Sequence, residues 1–134
     1  GRITPKWDVF FNHAFMRAKI DKAAGTAAGT LGMTPRNTPR YTSSIWTTYK
    51  LPYGFTVGGG VEFVGKRFAN DTNTNVVKGY TRVDAMAEYS VSKWLTVKLN
   101  IKNLFNRKYY EGVYSGHVLP GTTRSAEVSL VAKF

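Results

Sequence analysis

Residues able to bind something gather between the regularly patterned runs of this chain. Arg36, Arg40, Lys66, Arg67, Lys78, Arg107 and Lys108 stand near Tyr41, Phe68, Tyr80, Tyr109, Tyr110 and Tyr114. A cation attracts an anion, and a neighbouring ring offers a flat face, so this mix suits an anionic ligand carrying aromatic groups. Taken singly, each is better read as an ordinary solvated loop residue; taken as a set, they suit a ligand-attracting cationic mouth. His13 and His117 have no His, Asp or Glu at ligand spacing beside them, so no metal site is predicted. The sequence contains no cysteine, which excludes a disulfide scaffold, a zinc-thiolate site and a Cys nucleophile. No Ser/His/Asp constellation or carboxylate pair is visible, and no catalytic residue is predicted. Gly58-Gly59-Gly60 lacks the Lys-Ser/Thr of a phosphate loop. Inside a strand pattern those glycines signal close backbone approach or curvature.

Length and composition narrow the class. The chain has 134 residues, 43% hydrophobic and 14% aromatic, which suits one domain at most and argues against disorder. Its 19 Lys+Arg against 8 Asp+Glu raise the question of nucleic acid. Phosphate binding needs clustered cations, whereas these are spread along the chain with no run longer than two. A soluble basic β-domain that binds nucleic acid is therefore the least favoured reading, and no nucleic-acid partner is expected. No stretch approaches the ~18 apolar residues of a spanning helix, so membrane insertion would rest on strands. The start, Gly1-Arg2-Ile3-Thr4, carries neither an initiator Met nor a basic-then-apolar leader. This reads as a processed chain or a piece of a longer one.

The elements that must position the binding residues follow a period of two. Residues 6–16, 41–50, 57–66, 82–89, 95–102 and 125–134 alternate between two faces, giving about six strands and no convincing helix. The more apolar face carries no Asp, Glu, Lys or Arg. The other holds Asp8, Lys50, Glu62, Lys66, Arg82, Asp84, Glu88, Lys98, Lys102, Glu127 and Lys133. Connections alternate too: 51–54 and 90–93 are tight, whereas 21–40, 68–79 and 104–121 are long. Up-and-down strands would put all the long loops at one end. Period two also fits a soluble barrel with apolar residues inside. Aromatic placement favours the lipid-facing alternative, because Trp7, Tyr49, Tyr53, Phe55, Tyr89, Trp94 and Phe134 mark the short-turn end. Phe15, Tyr41, Phe63, Tyr80 and Phe105 mark the other. About six strands cannot close a membrane barrel, and open edges in lipid are costly. The fold class is thus all-β: an antiparallel meander that is a segment of a larger transmembrane β-barrel.

The late sequence resembles the C-terminal barrel region of TonB-dependent outer-membrane receptors, particularly the siderophore branch. Asn103-Leu104-Phe105-Asn106-Arg107-Lys108-Tyr109-Tyr110 is similar to that family's Asn-Leu-Phe-(Asp/Asn)-x-x-Tyr signature. Pro120-Gly121-Thr122-Thr123-Arg124 resembles the Pro-Gly-x-x-Arg that opens the last strand, and the chain ends on Phe134. Asn37-Thr38-Pro39-Arg40, Gly58-Gly59-Gly60-Val61 and Gly79-Tyr80-Thr81-Arg82-Val83-Asp84 are also similar to the family.

The resemblance implies that residues 1–134 are the C-terminal part of a receptor barrel in the bacterial outer membrane, with the plug and earlier strands outside them. It implies import of a ferric siderophore as transported ligand, with no directly bound cofactor, energised by the TonB complex through segments outside these residues. Implied partners are outer-membrane lipid and lipopolysaccharide, the rest of the barrel and its plug, and the barrel assembly machinery through Phe134. A passive channel, an adhesin barrel, or a family receptor for haem or cobalamin are the alternatives. Catecholate siderophores are anionic and ring-bearing, so Arg36, Arg67, Arg107, Lys108, Tyr109, Tyr110 and Tyr114 are the candidate ligand contacts. For Asn103-Leu104-Phe105 the favoured role is a strand end turning into a loop, with Asn satisfying backbone groups. Arg124 and Asp84 are expected to pair with neighbours or the plug.

Overall fold

The computed structural model describes residues 1–114 and 117–133, so the terminal Phe134 lies outside the described residues. One antiparallel sheet dominates. Its strands are β1 (Arg2–Thr4), β2 (Trp7–Phe15), β3 (Tyr41–Lys50), β4 (Phe55–Val64), β7 (Tyr80–Ser90), β8 (Leu95–Lys102) and β11 (Ser125–Ala132), side by side in chain order. Two short ribbons complete the count: β5 (Arg67–Phe68) with β6 (Val76–Val77), and β9 (Tyr110–Tyr114) with β10 (His117–Pro120).

The register joins the apolar phases of neighbouring strands into one surface. Phe11 pairs with Ile45, Ile45 with Val61, and Val61 with Val83. Further down, Tyr49, Val57, Ala87, Leu99 and Val128 form an unbroken row across five strands. A one-residue slip in any pair would move a whole apolar set to the charged side, so the pattern itself specifies the register. Nothing covers this surface: Phe11 is 65% exposed and Leu130 is 72% exposed. An uncovered apolar patch of this extent marks an interaction surface and has no counterpart in a water-soluble barrel, whose apolar side faces inward.

Aromatic residues bound that surface. Phe55 and Tyr89 stack with centroids 4.4 Å apart at the short-turn end, where Trp7 donates its indole N–H to Thr47 Oγ1 at 2.7 Å. Phe15 and Tyr41 pair at the other end. Eight residues separate Trp7 from Phe15, which is about 27 Å of strand, or about 21 Å across once tilted by ~40°. That approximates the ~25 Å apolar band of outer-membrane barrels.

The meander differs from the sequence expectation in two respects. The main sheet has a seventh strand, β1, because three residues are too few to show a period of two. The long connections are partly ordered: they contain both ribbons and a 3-10 turn at Gly25–Thr30. The short connections behave as expected. Tyr53 and Gly54 adopt φ of 61° and 81° after Pro52, and Ser92 Oγ accepts the N–H of Leu95 at 3.1 Å.

The glycine run also has a visible cause. Phe10, Trp46, Gly60 and Asp84 form one row of the charged face, and the Trp46 ring lies over Gly60 where a Cβ would overlap it.

A candidate functional site at the loop end of the sheet

Buried side chains gather where the long loops leave the sheet: Arg67, Ala69, Val77, Asn103 and Tyr109. The base of this region is a charge network on the polar face. Glu62 and Arg82 are directly paired across β4 and β7, and Arg82 Nη2 lies 3.0 Å from Glu62 Oε2. The same guanidinium reaches Asp84 Oδ2 at 3.2 Å, two residues along the same face. Arg82 Nη1 also donates to the Tyr109 hydroxyl at 3.3 Å. Asp84 turns its other oxygen to the backbone N–H of Asn103 at 2.8 Å. Strand alternation thus aims three charges at one loop base.

Asn103 organises that base. Its Nδ2 donates to the carbonyls of Arg107 and Thr122, both at 2.9 Å, and its Oδ1 accepts the Arg107 N–H at 2.9 Å. Its φ is 50°, a left-handed conformation in which asparagine is less penalised than most residues. Asn106, at φ 49°, accepts the Arg124 N–H through Oδ1 at 2.9 Å. The two asparagines therefore clip the end of β8 to the start of β11. Tyr109 closes the clip. Its ring lies over Gly121, where a Cβ would overlap it, and its carbonyl accepts the Gly121 N–H at 2.8 Å. The signature residues Asn103, Tyr109, Gly121 and Arg124 thus meet in one knot. Leu104 donates its N–H to Val83 O at 2.7 Å, Pro120 ends β10, and Phe105 is 67% exposed.

The three long loops are joined above this base. Arg67 is 3% exposed, donates from Nη2 to the Tyr110 carbonyl at 2.6 Å, and lies 6.0 Å from the Tyr80 ring centre. Tyr80 in turn sits 4.3 Å from the Tyr109 ring. Thr34 donates its N–H to Asn73 Oδ1 at 2.9 Å, and Asn73 Nδ2 returns a bond to Thr34 O at 2.7 Å. Arg36 donates its N–H to Asp71 at 2.8 Å, and its side chain pairs with the same carboxylate at 3.3 Å.

The candidate contacts consequently divide. Arg107, Lys108, Tyr110 and Tyr114 are exposed at the rim, and Arg36 is exposed but engaged with Asp71. Arg67 and Tyr109 are buried within the loop base. Asp71, Asn73 and Glu62 are the contributors that the sequence reading did not single out for the site. The run Asn70-Asp71-Thr72-Asn73-Thr74-Asn75 signals a side-chain-capped turn, but nothing local names the loop it receives. His13 stands apart on the apolar face, stacked on Phe11 and hydrogen-bonded to Ser43 Oγ at 2.7 Å. His117 opens β10.

The described geometry can be set beside known proteins. The family model for TonB dependent receptor-like β-barrels matches residues 1–104. The probable TonB-dependent receptor BfrD of Bordetella pertussis is 38% identical over 136 residues, taking in 94% of this chain and 18% of that protein. The probable TonB-dependent siderophore receptor PiuA of Acinetobacter baumannii is 31% identical over 125 residues, 87% of this chain and 17% of its own length. The crystal structure of the siderophore receptor PiuA superposes with a TM-score of 0.89 at 29% identity, covering 100% of this chain and 20% of that one. This chain therefore spans about a fifth of the length of such relatives. Matches of that extent, over a sheet that superposes from end to end, place these residues: the chain belongs to the TonB-dependent receptor β-barrel family, and it forms a stretch of wall in a barrel of the bacterial outer membrane.

Proposed function

We propose that residues 1–134 form the C-terminal part of the barrel of a receptor that imports a ferric siderophore. The plug and the earlier strands lie outside these residues in this reading, and the TonB complex supplies energy through them. The observation that carries the proposal is the joined rim: three loops, anchored on a buried network, presenting Arg107, Lys108, Tyr110 and Tyr114 to solvent. Cations draw in an anionic ferric complex, and the tyrosines offer it ring contacts. The description of PiuA as a siderophore receptor agrees with this chemistry. Arg67 and Tyr109 contribute by holding the rim in shape, and direct contact with ligand would require the loop base to open. Arg36 adds to the field of the mouth while paired to Asp71. Phe134 serves the barrel assembly machinery in the same reading.

The test is uptake of a ferric catecholate by cells carrying the full-length receptor with Arg107→Gln and Lys108→Gln. Exposed charges act mainly on encounter and are screened by salt. Uptake is expected to fall roughly two- to tenfold at low ionic strength and to converge on wild type at high ionic strength. Unchanged uptake at every salt concentration, with the barrel present in the outer membrane, would overturn these roles.

A further inference from the structure

Two aromatic residues on the charged face have no part in the network at the loop end. Phe10 and Trp46 stand directly opposite one another on β2 and β3, in a row that continues through Gly60 to Asp84. Phe10 is 56% exposed and Trp46 is half-buried. The lipid that covers the apolar face does not reach this one, so rings left open here mark an interaction surface on the lumen side. The indole leans across to the next strand, with its six-membered ring over Gly60 where a Cβ would overlap it. A ring lying against the wall in this way turns its other face to the lumen. Gly60 is thus the bed of a flat ring, and Phe10 extends the apolar surface along the same row.

A cavity of about 360 Å³ opens beside the indole, and Trp46, Asp84, Asn100, Lys102 and Glu127 are among its walls. Asp84 is already engaged by Arg82 and by the Asn103 N–H. Among the described residues, Lys102 and Glu127 take part in no salt bridge. Asn100 and Glu127 are directly paired across β8 and β11, so the amide and the carboxylate lie side by side. A flat ring, an ammonium, an amide and a free carboxylate therefore border one cavity. That set matches a planar ring bearing oxygen substituents. The indole takes the ring face, Lys102 takes an anionic oxygen, and Asn100 and Glu127 take hydroxyl or amide protons. The row of Trp46 and Asp84 lies two residues, about 7 Å, inside the row of Glu62 and Arg82 that forms the base of the mouth. A ligand leaving the mouth meets it next, with the same pairing of ring and cation that the rim offers.

We infer that Phe10 and Trp46, with Asn100 and Lys102 beside them, form an inner site on the barrel wall for the oxygen-substituted aromatic rings of the transported ferric complex, occupied in passage after the complex leaves the rim. The inference rests on the import reading. An open site on the wall suits passage, because a transported species must be held well enough to enter and loosely enough to leave.

The test uses cells carrying the full-length receptor, with ferric iron bound by a synthetic tris-catecholate as the probe. Phe10→Leu combined with Trp46→Leu keeps the surface apolar and removes both ring faces. The maximal uptake rate is expected to fall about three- to tenfold, at low and high ionic strength alike. Binding of the probe to de-energised cells should keep wild-type affinity, because the rim is untouched. An unchanged maximal rate, with the barrel present in the outer membrane, would overturn the site. An equal loss of binding in de-energised cells would also overturn it, by assigning the rings to the shape of the barrel or to the seating of its plug. Should the double variant not assemble, Phe10→p-benzoylphenylalanine gives a second measurement at the more exposed position. Illumination during uptake should attach that side chain to the catecholate, and only in energised cells; attachment confined to the receptor's own plug would refute the assignment. Failure of wild type to take up the complex would instead bring down the import reading, and this site with it.

Discussion

Replacing Asn103 with alanine tests whether the signature asparagine is a structural clip. The side chain is 1% exposed and makes three hydrogen bonds, two donated to the Arg107 and Thr122 carbonyls and one accepted from the Arg107 N–H. Each is worth about 1 kcal/mol net, and truncation also leaves partners unsatisfied in a buried position. Alanine at a φ of 50° adds about 1 kcal/mol of backbone strain. The local cost is therefore about 4 kcal/mol, which corresponds to roughly a thousandfold in an opening equilibrium. Because opening of the 103–124 loop can precede barrel unfolding, the assay is amide hydrogen exchange of the full-length receptor in micelles. Arg107 and Gly121 report most directly, since their N–H groups are bonded inside the knot. Protection there should fall by roughly a thousandfold while strands β3 and β4 stay protected. Asn103→Gly should recover about 1 kcal/mol by relieving the backbone without restoring the bonds. Protection within tenfold of wild type in the alanine variant would refute the clip.

Two further outcomes follow from the faces of the sheet, both read as urea midpoints of the full-length barrel refolded in lipid vesicles. Leu99→Arg, in the middle of the apolar row, should destabilise by ~2–4 kcal/mol, whereas Lys98→Gln on the lumen side should change little; the opposite ranking would invert the sidedness. Gly60→Ala should cost ~1–3 kcal/mol by forcing the Trp46 ring to move. Combining it with Trp46→Ala should cost less than the sum of the two single changes, and strict additivity would exclude the ring as the reason for the glycine.

Much of the sheet was legible in the sequence because its determinants are local. Alternation in 95–102 and 125–132 fixes which side chains share a face, and register follows once apolar phases must align, as Leu99 and Val128 do. Aromatics at both ends favoured an apolar face turned to lipid, because a soluble barrel would hold such rings inside. β1 and the ribbons were illegible for a physical reason. Runs of two to five extended residues carry too few repeats to show a period, and Arg67–Phe68 becomes a strand only because Val76–Val77 returns beside it. The roles of Arg67 and Tyr109 were hidden similarly. As residue types they resemble Arg107 and Tyr114, and only the fold decides that the first pair is buried and the second exposed.

That division bears on how the mouth can move. A buried guanidinium is costly to leave unpaired, and Arg67 spends its Nη2 proton on the backbone of the next loop at Tyr110. Displacing 103–124 outward would strip that acceptor from a side chain already lacking a partner at Nε. Displacing 65–79 would take Asp71 and Asn73 from Arg36 and Thr34 on the first loop. The three loops therefore move at lower cost together than singly. The Glu62–Arg82–Asp84 network anchors the base of the third loop to the sheet through Asn103 and Tyr109. In the proposed reading, a ligand caught by the exposed cations would act on all three loops through residues it need not touch.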